Sequence, residues 1–405
     1  MSPEPVKSQA LKVRRLQELP VEGKRVLVRV DYNVPMSVGR VTDDTRVRET
    51  LPTLKHLISA GARVSLIAHL GRPKGKPEPK SSLKPVVPVL EKLLGRPVAF
   101  AADCVGPEAE KAAAALRPGG VLLLENLRYH AGEEANDKAF AKSLSKLGEV
   151  FVQDAFGALH RAHASTAALP ALLPSAVGLL VQKELEFLDR VIGHPERPFV
   201  AVIGGAKVSD KLGVLKKLVE RVDALLIGGG MAYTFLAAQG VSIGKSLLEQ
   251  AKMPDAQGIV EKAYARQMEC LLPADHVAVK EIKAGAESVL TQGMAVPQDL
   301  IGVDIGPRTV EFFTEHIRSA KTVFWNGPMG IFEIDDFAKG TLSVAQAIAK
   351  ATKAGATTIV GGGDSLAALA KAGLSGQVSH ASTGGGASLE LLEGKILPGL
   401  AALAL

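Results

Sequence analysis

The sequence predicts an α/β protein of two parallel-sheet domains joined by a connecting helix. Short apolar runs rich in Val, Ile and Leu alternate with segments of helical spacing, and several of these runs lead directly into glycines. The chain has 405 residues, which is more than one hydrophobic core usually serves, so two domains are expected. Because the runs are apolar throughout, we expect their strands to be buried on both faces, as in parallel sheets.

Strands and helices alternate in the first half of the chain. The predicted strands cover residues 26–30, 63–68, 121–124 and 149–153. The predicted helices cover residues 48–60, 86–94 and 139–147. This alternation is typical of a layered α/β domain.

In the second half, three predicted strands run into glycines. Residues 199–203 lead into Gly204 and Gly205, and the strands at 224–227 and 357–360 each lead into three further glycines. Open α/β sheets bind ligands at the carboxyl ends of their strands, where glycine lets backbone N–H groups approach a phosphate. We therefore expect anion sites at these strand ends. Residues 382–386 are either one more such site or the plain start of a helix.

The domain boundary is predicted within residues 175–198. The spacing of Leu185, Leu188 and Ile192 predicts a helix over residues 182–192, which the Gly-His-Pro sequence at 193–195 ends. This spacing favours a stiff connecting helix over a proline-rich linker.

Composition narrows the classes of function. A formal net charge of +6 favours anionic partners, but aromatic residues are only 4% and are not interleaved with Lys or Arg, as nucleic-acid stacking platforms would be. Two cysteines, Cys104 and Cys270, are too few for a disulfide framework, and we expect buried thiols in a reducing compartment. No signal peptide is evident, and no run approaches the roughly 20 apolar residues of a membrane span. We therefore expect a cytoplasmic protein.

Polar and cationic side chains follow the predicted strands of the first half. The carboxyl ends of parallel strands meet at one edge of a sheet, so we expect these side chains to lie together. Clustered arginines repel one another unless an anion neutralises them, and a guanidinium matches carboxylate and phosphate geometry. The expected ligand carries several anionic oxygens and a hydroxyl group. The residues are Asp31, Asn33, Arg46, His69, Arg72, Arg128 and Arg161.

Two other interpretations of this region are weaker. His160 and His163 lack the spacing of a histidine metal site, so metal binding there is not favoured. Ser165 and Thr166 lie close to them, but no Gly-x-Ser-x-Gly sequence supports a nucleophilic serine.

In the second half, Lys207 and Lys211 are four residues apart at the start of a predicted helix, where they would share one face. They suit the terminal phosphates of a nucleotide, although an exposed lysine pair is an equal alternative. Asp364 follows three glycines and suits either Mg²⁺ bound to phosphates or a helix N-cap. Residues 240–246 resemble a Walker A loop but are one residue short, and no Gly-x-Gly-x-x-Gly fingerprint follows a strand. The motifs therefore argue against a P-loop ATPase and a dinucleotide-dependent dehydrogenase.

Seven segments together resemble the phosphoglycerate kinase family, in the order of that family and over nearly the whole chain. They are residues 29–35 (RVDYNVP), 69–73 (HLGRP), 125–128 (ENLR), 154–157 (DAFG), 205–211 (GAKVSDK), 325–328 (WNGP) and 382–392 (STGGGASLELL). Tyr32 replaces the Phe of many relatives and Ser365 replaces their Thr, and both keep the chemistry of the position. The less typical residues 157–159 leave the role of His160 open.

The resemblance implies two Rossmann-like domains and a hinge helix. A 3-phosphoglycerate domain would cover residues 1–180, a connecting helix 181–195 and a nucleotide domain 196–385, with residues 386–405 returning to the first domain. The implied reaction is reversible phosphoryl transfer from 1,3-bisphosphoglycerate to MgADP, giving 3-phosphoglycerate and MgATP. The implied protein is a cytoplasmic monomer of glycolysis without nucleic-acid or membrane partners.

The resemblance also implies residue roles. Asp31 and Asn33 would hold the hydroxyl and carboxyl end of the substrate, and Arg46, His69, Arg72, Arg128 and Arg161 would form its basic patch. Glu333 would lie near the ribose and Asp364 near Mg²⁺. The nucleotide-binding residues would be Gly205, Lys211, Asn326, Glu333, Gly362, Gly363, Asp364 and Ser365. The catalytic residues would be Arg46, Lys207 and Lys211.

The expected mechanism needs no general base, because a carboxylate or a nucleotide phosphate attacks phosphorus without losing a proton. Domain closure would bring the two substrates together, and positioning with charge neutralisation would supply the catalysis. The alternative is a non-catalytic anion or nucleotide binder on the same scaffold.

Overall fold

The computed structural model describes residues 11–405 and contains two compact units. The first unit runs to Glu186 and includes Ile396–Leu405, and the second is Phe187–Lys395. Each contains a six-stranded sheet whose strand pairs are parallel. The predicted fold class is confirmed.

In its described residues, the first unit contains eight strands and the helices that cover its main sheet. The strands are β1 (Arg25–Val30), β2 (Met36–Ser37), β3 (Arg40–Val41), β4 (Arg63–Ile67), β5 (Ala99–Ala101), β6 (Val121–Leu124), β7 (Val150–Asp154) and β8 (Ser175–Val177). The helices are α1 (Thr45–Glu49), α2 (Leu51–Ser59), α3 (Val87–Leu94), α4 (Gly106–Ala114), α5 (Ala131–Glu134), α6 (Lys138–Ser145) and α7 (Leu179–Ile192).

The division between the two units falls within α7, and the second unit follows it in the sequence. Its strands are β9 (Phe199–Ile203), β10 (Ala224–Ile227), β11 (Glu269–Leu271), β12 (His276–Val279), β13 (Ser288–Leu290), β14 (Ile301–Ile305), β15 (Thr322–Asn326), β16 (Thr357–Gly361) and β17 (His380–Ser382). Its helices are α8 (Leu212–Leu218), α9 (Met231–Ala238), α10 (Met253–Ala265), α11 (Pro307–Ser319), α12 (Lys339–Lys353), α13 (Gly363–Lys371) and α14 (Gly386–Leu392). The last helix, α15 (Pro398–Ala401), belongs to the first unit.

The sheet of the first unit has the order β5-β6-β4-β1-β7-β8. Its central strand β1 faces two cores: Val26 and Val28 pack into one apolar cluster, whereas Leu27 packs into another on the opposite face. Both faces are therefore buried, which explains why the strand is apolar without alternation.

The sheet of the second unit has the order β11-β10-β9-β15-β16-β17. The chain builds outward from β9 on one side and then returns to β15 on the other. Ligands of such sheets bind at this switch point, beyond the carboxyl ends of the two adjacent strands. A three-stranded antiparallel sheet, β13-β12-β14, completes this unit and was not predicted.

The helix predicted over residues 48–60 is wrong as one continuous element. It forms two helices, α1 and α2, that meet at Thr50. Pro52 in the first turn of α2 has no N–H to donate to the preceding turn. The Thr50 hydroxyl donates to the Val47 carbonyl at 2.8 Å, which ends α1 locally.

No helix within residues 11–405 combines the length and the hydropathy needed to cross a membrane.

The connecting helix α7 begins against a buried carboxylate. Asp154, the last residue of β7, is fully buried, and its Oδ1 accepts hydrogen bonds from the backbone N–H groups of Leu180 at 3.0 Å and Val181 at 3.4 Å. The Thr53 hydroxyl oxygen accepts one more, from Leu179, at 2.9 Å. Side chains from other elements therefore satisfy the first N–H groups of α7. Burial raises the pKa of Asp154 to about 6.

We expect Asp154→Asn to change how stability depends on pH. A carboxyl group with a higher pKa in the fold than in the unfolded chain keeps its proton longer when folded, so its contribution to stability falls as pH rises from about 4 to about 6. Asparagine keeps an acceptor for Leu180 but does not titrate. The unfolding free energy of the wild type relative to the variant should fall by up to about 3 kcal/mol between pH 4 and pH 7. Urea unfolding at both pH values measures this, and an unchanged difference would contradict it.

Candidate functional site

Cationic side chains converge at the carboxyl edge of the first sheet. His69 follows β4, Arg128 follows β6, Arg161 lies in the segment after β7, and Arg46 lies in α1. Burial lowers the pKa of His69 well below its usual range, and the positive charges of Arg29 and of these three arginines lower it further. The structure therefore brings together residues that are far apart in the sequence.

Hydrogen bonds connect the polar residues around this cluster. Arg46 Nη1 donates to Asp31 Oδ2 at 2.7 Å, and the backbone N–H of Asn33 donates to Asp31 Oδ1 at 3.1 Å. Asn33 Oδ1 accepts from the N–H of Gly71 at 2.9 Å, and Arg128 Nη1 donates to the carbonyl of Gly71 at 2.7 Å. The loop at Gly71 thus holds side chains from the ends of two strands.

The cationic charge exceeds the nearby negative charge. Arg128 is 4% exposed and lies 3.3 Å from Glu134, and burial, followed by the charges of Arg161 and Arg29, lowers its pKa. The pKa of His163 falls to about 4 because of burial and the same arginines. Two neutral histidines beside several arginines indicate a site suited to an anion.

Arg72 is placed differently from the other predicted residues. It is exposed, and no hydrogen bond or ion pair joins it to another residue in the described part of the chain. Its guanidinium is therefore not committed to an internal partner. Arg161 in turn donates from Nε to His160 Nε2 at 3.1 Å.

The second unit has its own polar cluster at the switch point between β9 and β15. Lys211 Nζ donates to the carbonyl of Asn326 at 3.0 Å and also to its Oδ1. Asn326 Nδ2 donates to the carbonyl of Gly361 at 2.7 Å, and the N–H of Gly327 donates to Ser365 Oγ at 2.6 Å. These contacts connect the ends of β15 and β16 to the start of α13.

Burial lowers the pKa of Lys211 to about 8, against the opposing effect of Asp364 and Asp210. Asp364 lies in the first turn of α13 and is exposed. Gly362, just before it, has a φ of +94°, and a Cβ there would lie 2.9 Å from Asn326 Nδ2. Only glycine fits this turn without strain.

The predicted helical pairing of Lys207 with Lys211 is wrong. Helix α8 begins at Leu212, with Lys211 before it and Lys207 in the preceding loop. The N–H of Lys211 donates to the Val208 carbonyl at 3.0 Å, which closes a turn over these residues. Lys207 is exposed, and its charge helps to lower the pKa of Glu249.

The glycine N–H groups expected to face an anion are partly occupied. Gly204 donates to the Asn326 carbonyl at 3.0 Å, Gly205 to Pro328 at 2.9 Å and Gly229 to Met329 at 3.0 Å. These glycines allow close backbone packing at the switch point. Gly205 therefore leaves space beside Lys211. A Cβ at position 205 would lie 3.7 Å from Lys211 Nζ.

The remaining predicted residues lie outside these hydrogen-bond networks. Glu333 is exposed, and Gly363 is the first residue of α13. The Walker-like residues 240–246 follow α9 rather than a strand, and Lys245 N–H donates to the Leu300 carbonyl at 2.8 Å.

Within residues 11–405, two places have donors suited to a cation. Asp364 has an exposed carboxylate beside the Lys211 cluster. In the first unit, Asp103, Cys104 and His130 lie close together. There Asp103 Oδ1 already accepts from the N–H of Cys104 at 2.6 Å and contacts His130 Nε2 at 2.7 Å, and burial raises the pKa of the Cys104 thiol well above its usual range. Asp364 therefore fits a metal ion better.

Sequence reasoning missed Arg29, Glu133 and the structural role of Ser165. Arg29 and Glu133 are almost fully buried, and Ser165 Oγ donates to Glu133 Oε1 at 2.6 Å. Ser165 is thus paired with a carboxylate and an arginine, which gives no support to a nucleophilic role. The available signal was Arg29 itself, a charged residue within a run predicted to be buried on both faces.

Comparison with known proteins identifies close relatives. Residues 16–395 match the family model described as Phosphoglycerate kinase. A phosphoglycerate kinase from Moorella thermoacetica is 55% identical over 388 residues, covering 96% of this chain and 98% of the relative. One from Chlorobium chlorochromatii is 54% identical over 392 residues, covering 96% and 99%.

Solved structures agree with these matches. The structure of phosphoglycerate kinase from Coxiella burnetii has a TM-score of 0.87 at 42% identity, covering 97% of this chain and 99% of that chain. The enzyme from Pyrococcus horikoshii has a TM-score of 0.84 at 33% identity, covering 96% and 98%.

We expect Gly327→Ala to destabilise the second unit far more than Gly361→Ala. Gly327 has a φ of +97°, and a Cβ there would lie 2.3 Å from the Gly204 carbonyl oxygen and 2.6 Å from Lys211 Nζ. At Gly361 the nearest atom would be 3.7 Å away. Gly327→Ala should lower the unfolding free energy by about 2 kcal/mol or more, and Gly361→Ala should change it by less than about 1 kcal/mol. Denaturant unfolding tests this, and equal effects would contradict the close packing.

Proposed function

The chain belongs to the phosphoglycerate kinase family, and from its two polar clusters we propose how it transfers a phosphoryl group between 1,3-bisphosphoglycerate and ADP, giving 3-phosphoglycerate and ATP. The observation that carries the proposal is the cationic cluster of the first unit. Burial, and after it the positive charges of this cluster, lower the pKa values of His69 and His163. An anion of high charge density would relieve the repulsion within the cluster.

We place 3-phosphoglycerate on this cluster. Its phosphate and carboxylate would be bound by Arg46, His69, Arg72, Arg128 and Arg161. A guanidinium group can donate two parallel hydrogen bonds to the oxygens of such an anion. Asp31 and Asn33 would hold the hydroxyl and carboxyl end. Arg72 is exposed and makes no hydrogen bond or ion pair with the described residues, so its side chain would be free to reach the ligand.

We place the nucleotide on the second unit. Lys211, Asn326 and Ser365 form its framework, Gly205, Gly362 and Gly363 leave room for the backbone to approach phosphates, and Glu333 would contact the ribose. Mg²⁺ would arrive as part of the nucleotide substrate and neutralise phosphate charge. Asp364 is suited to it because its carboxylate is exposed and lies at the start of α13.

The proposed chemistry uses charge and position. The attacking oxygen belongs to a carboxylate or a phosphate and carries no proton at neutral pH, so no general base is required. Arg46, Lys207 and Lys211 would stabilise the phosphoryl group in transfer. Domain closure, which would exclude water, stays a prediction, as do the domain limits at residues 180, 195 and 385.

The remaining expectations are also part of the proposal. As an enzyme of glycolysis the protein would work in the cytoplasm, as a monomer, without nucleic-acid or membrane partners. The competing function is an anion or nucleotide binder that has kept the scaffold and lost turnover.

Arg72→Ala tests the substrate cluster. In a coupled assay with 3-phosphoglycerate, ATP and Mg²⁺, we expect the KM for 3-phosphoglycerate to rise at least about tenfold, because a charged hydrogen bond to the ligand is lost. Arg117→Ala is the matched control, since Arg117 is also exposed but precedes β6, at the amino end of the strands. A folded wild type without turnover would favour the binder, and equal effects of the two variants would contradict the substrate role of Arg72.

Lys207→Ala tests the transferring step. We expect kcat to fall by about two orders of magnitude or more while the Kd for nucleotide changes less, because the charge acts mainly on the transition state. Lys245→Ala is the control, and it also tests the Walker-like segment. A kcat for Lys207→Ala within a few-fold of the wild type would remove Lys207 from the mechanism.

A further inference from the structure

We propose that a buried relay of side chains positions His69 as a neutral hydrogen-bond donor to the substrate; this rests on the substrate role proposed for His69 above. The relay consists of Glu133 in α5, Ser165 in the segment after β7, and Arg29 in β1. None of its three members belongs to the proposed set of ligand contacts.

The relay begins at a buried carboxylate. Glu133 is 0% exposed, and its two oxygens accept hydrogen bonds from one residue: Oε1 from Ser165 Oγ at 2.6 Å and Oε2 from the backbone N–H of Ser165 at 3.0 Å. Because the hydroxyl proton points to Glu133, the Ser165 oxygen is left as an acceptor. It accepts from Arg29 Nε at 2.9 Å.

Arg29 connects Ser165 to His69. Its Nη2 lies 3.0 Å from His69 Nδ1, and Nη1 donates to the carbonyl of Val30 at 2.5 Å. A guanidinium can only donate, so Nδ1 of His69 must be the acceptor. The single proton of the neutral ring therefore resides on Nε2, which becomes its donor.

Charge keeps the relay in this state. Arg29 is 1% exposed, and a buried guanidinium is stable only when it is paired and hydrogen-bonded. The charge of Glu133 raises the pKa of Arg29 against the lowering effect of burial. Burial, and after it Arg29 and the neighbouring arginines, lower the pKa of His69 well below its usual range, so the ring stays neutral near pH 7.

The consequence is directional. The arginines of the cluster attract any anion, whereas a neutral Nε2–H supplies one oriented hydrogen bond without adding to the repulsion. Such a donor favours a ligand that places an oxygen at one position. The relay therefore acts on the affinity and orientation of the substrate, and its members are positioning residues.

The test reads the tautomer of His69 directly in the ligand-free full-length protein. Long-range ¹H–¹⁵N spectra of ¹⁵N-histidine-labelled protein distinguish the two neutral tautomers, and His69→Gln assigns the signal. We expect the Nε2–H form in the wild type at pH 7–8. Arg29→Met should give a mixture of tautomers, and Ser165→Ala, which keeps every charge, should shift the signal in the same direction by less. The control is Ser175→Ala, because Ser175 in β8 donates only to the backbone carbonyls of Leu173 and Pro170.

Kinetics supply the second measurement. The KM for 3-phosphoglycerate should rise about tenfold or more in Arg29→Met and about threefold in Ser165→Ala, with the KM for MgATP unchanged in both. If Arg29→Met does not fold by circular dichroism, Ser165→Ala alone decides. An Nδ1–H tautomer in the wild type, or a spectrum and KM in Ser165→Ala equal to those of Ser175→Ala, would overturn the proposal. Absence of wild-type turnover would overturn the proposed function instead, because the spectra need no substrate.

Discussion

Repulsion among the cations at one edge of the first sheet is the constraint on which the first site depends. Parallel strands place their carboxyl ends side by side, so residues far apart in sequence, such as Arg46 and Arg161, act on the same histidine. The fold tolerates this charge through Asp31, Glu133 and Glu134 and by keeping two histidines neutral. An anionic substrate would supply the rest of the negative charge that this edge needs, so binding it would also stabilise the edge.

The second unit depends on a different constraint, the close approach of backbone at its switch point. Gly204 and Gly327 lie so close together that neither could carry a side chain in place. This packing holds Lys211 against Asn326 and removes it from water, which is why its pKa falls to about 8. A phosphate bound beside Lys211 would raise its pKa again, because a nearby negative charge favours the ammonium form. The first unit thus offers guanidinium groups to an anion, whereas the second offers a desolvated ammonium group with free space beside it.

Much of the fold could be predicted because its signals are local. The apolar strand at residues 26–30 and the helix at residues 86–94 need only their own sequence. The pairing of Lys207 with Lys211 failed because a local turn, closed by the Lys211 N–H and the Val208 carbonyl, precedes α8. The helix at residues 48–60 is interrupted where the Thr50 hydroxyl donates to the Val47 carbonyl and Pro52 follows. Arg29 and Glu133 could not be paired from sequence, since 104 positions separate them and only the folded sheet places Ser165 between them. The cationic edge was predictable because strand ends in a parallel sheet always meet.

Hydrogen–deuterium exchange with 3-phosphoglycerate alone tests the central claim most directly, that the cationic edge of the first unit is the substrate site. Bound ligand should slow exchange in peptides that contain Asn33, Gly71 and Arg128, where backbone groups already connect to the cluster. Peptides around Arg117, at the other end of the same sheet, should exchange as before. Protection confined to the Lys211 and Asn326 region, or to the Arg117 end, would show that the substrate binds elsewhere and would contradict the account.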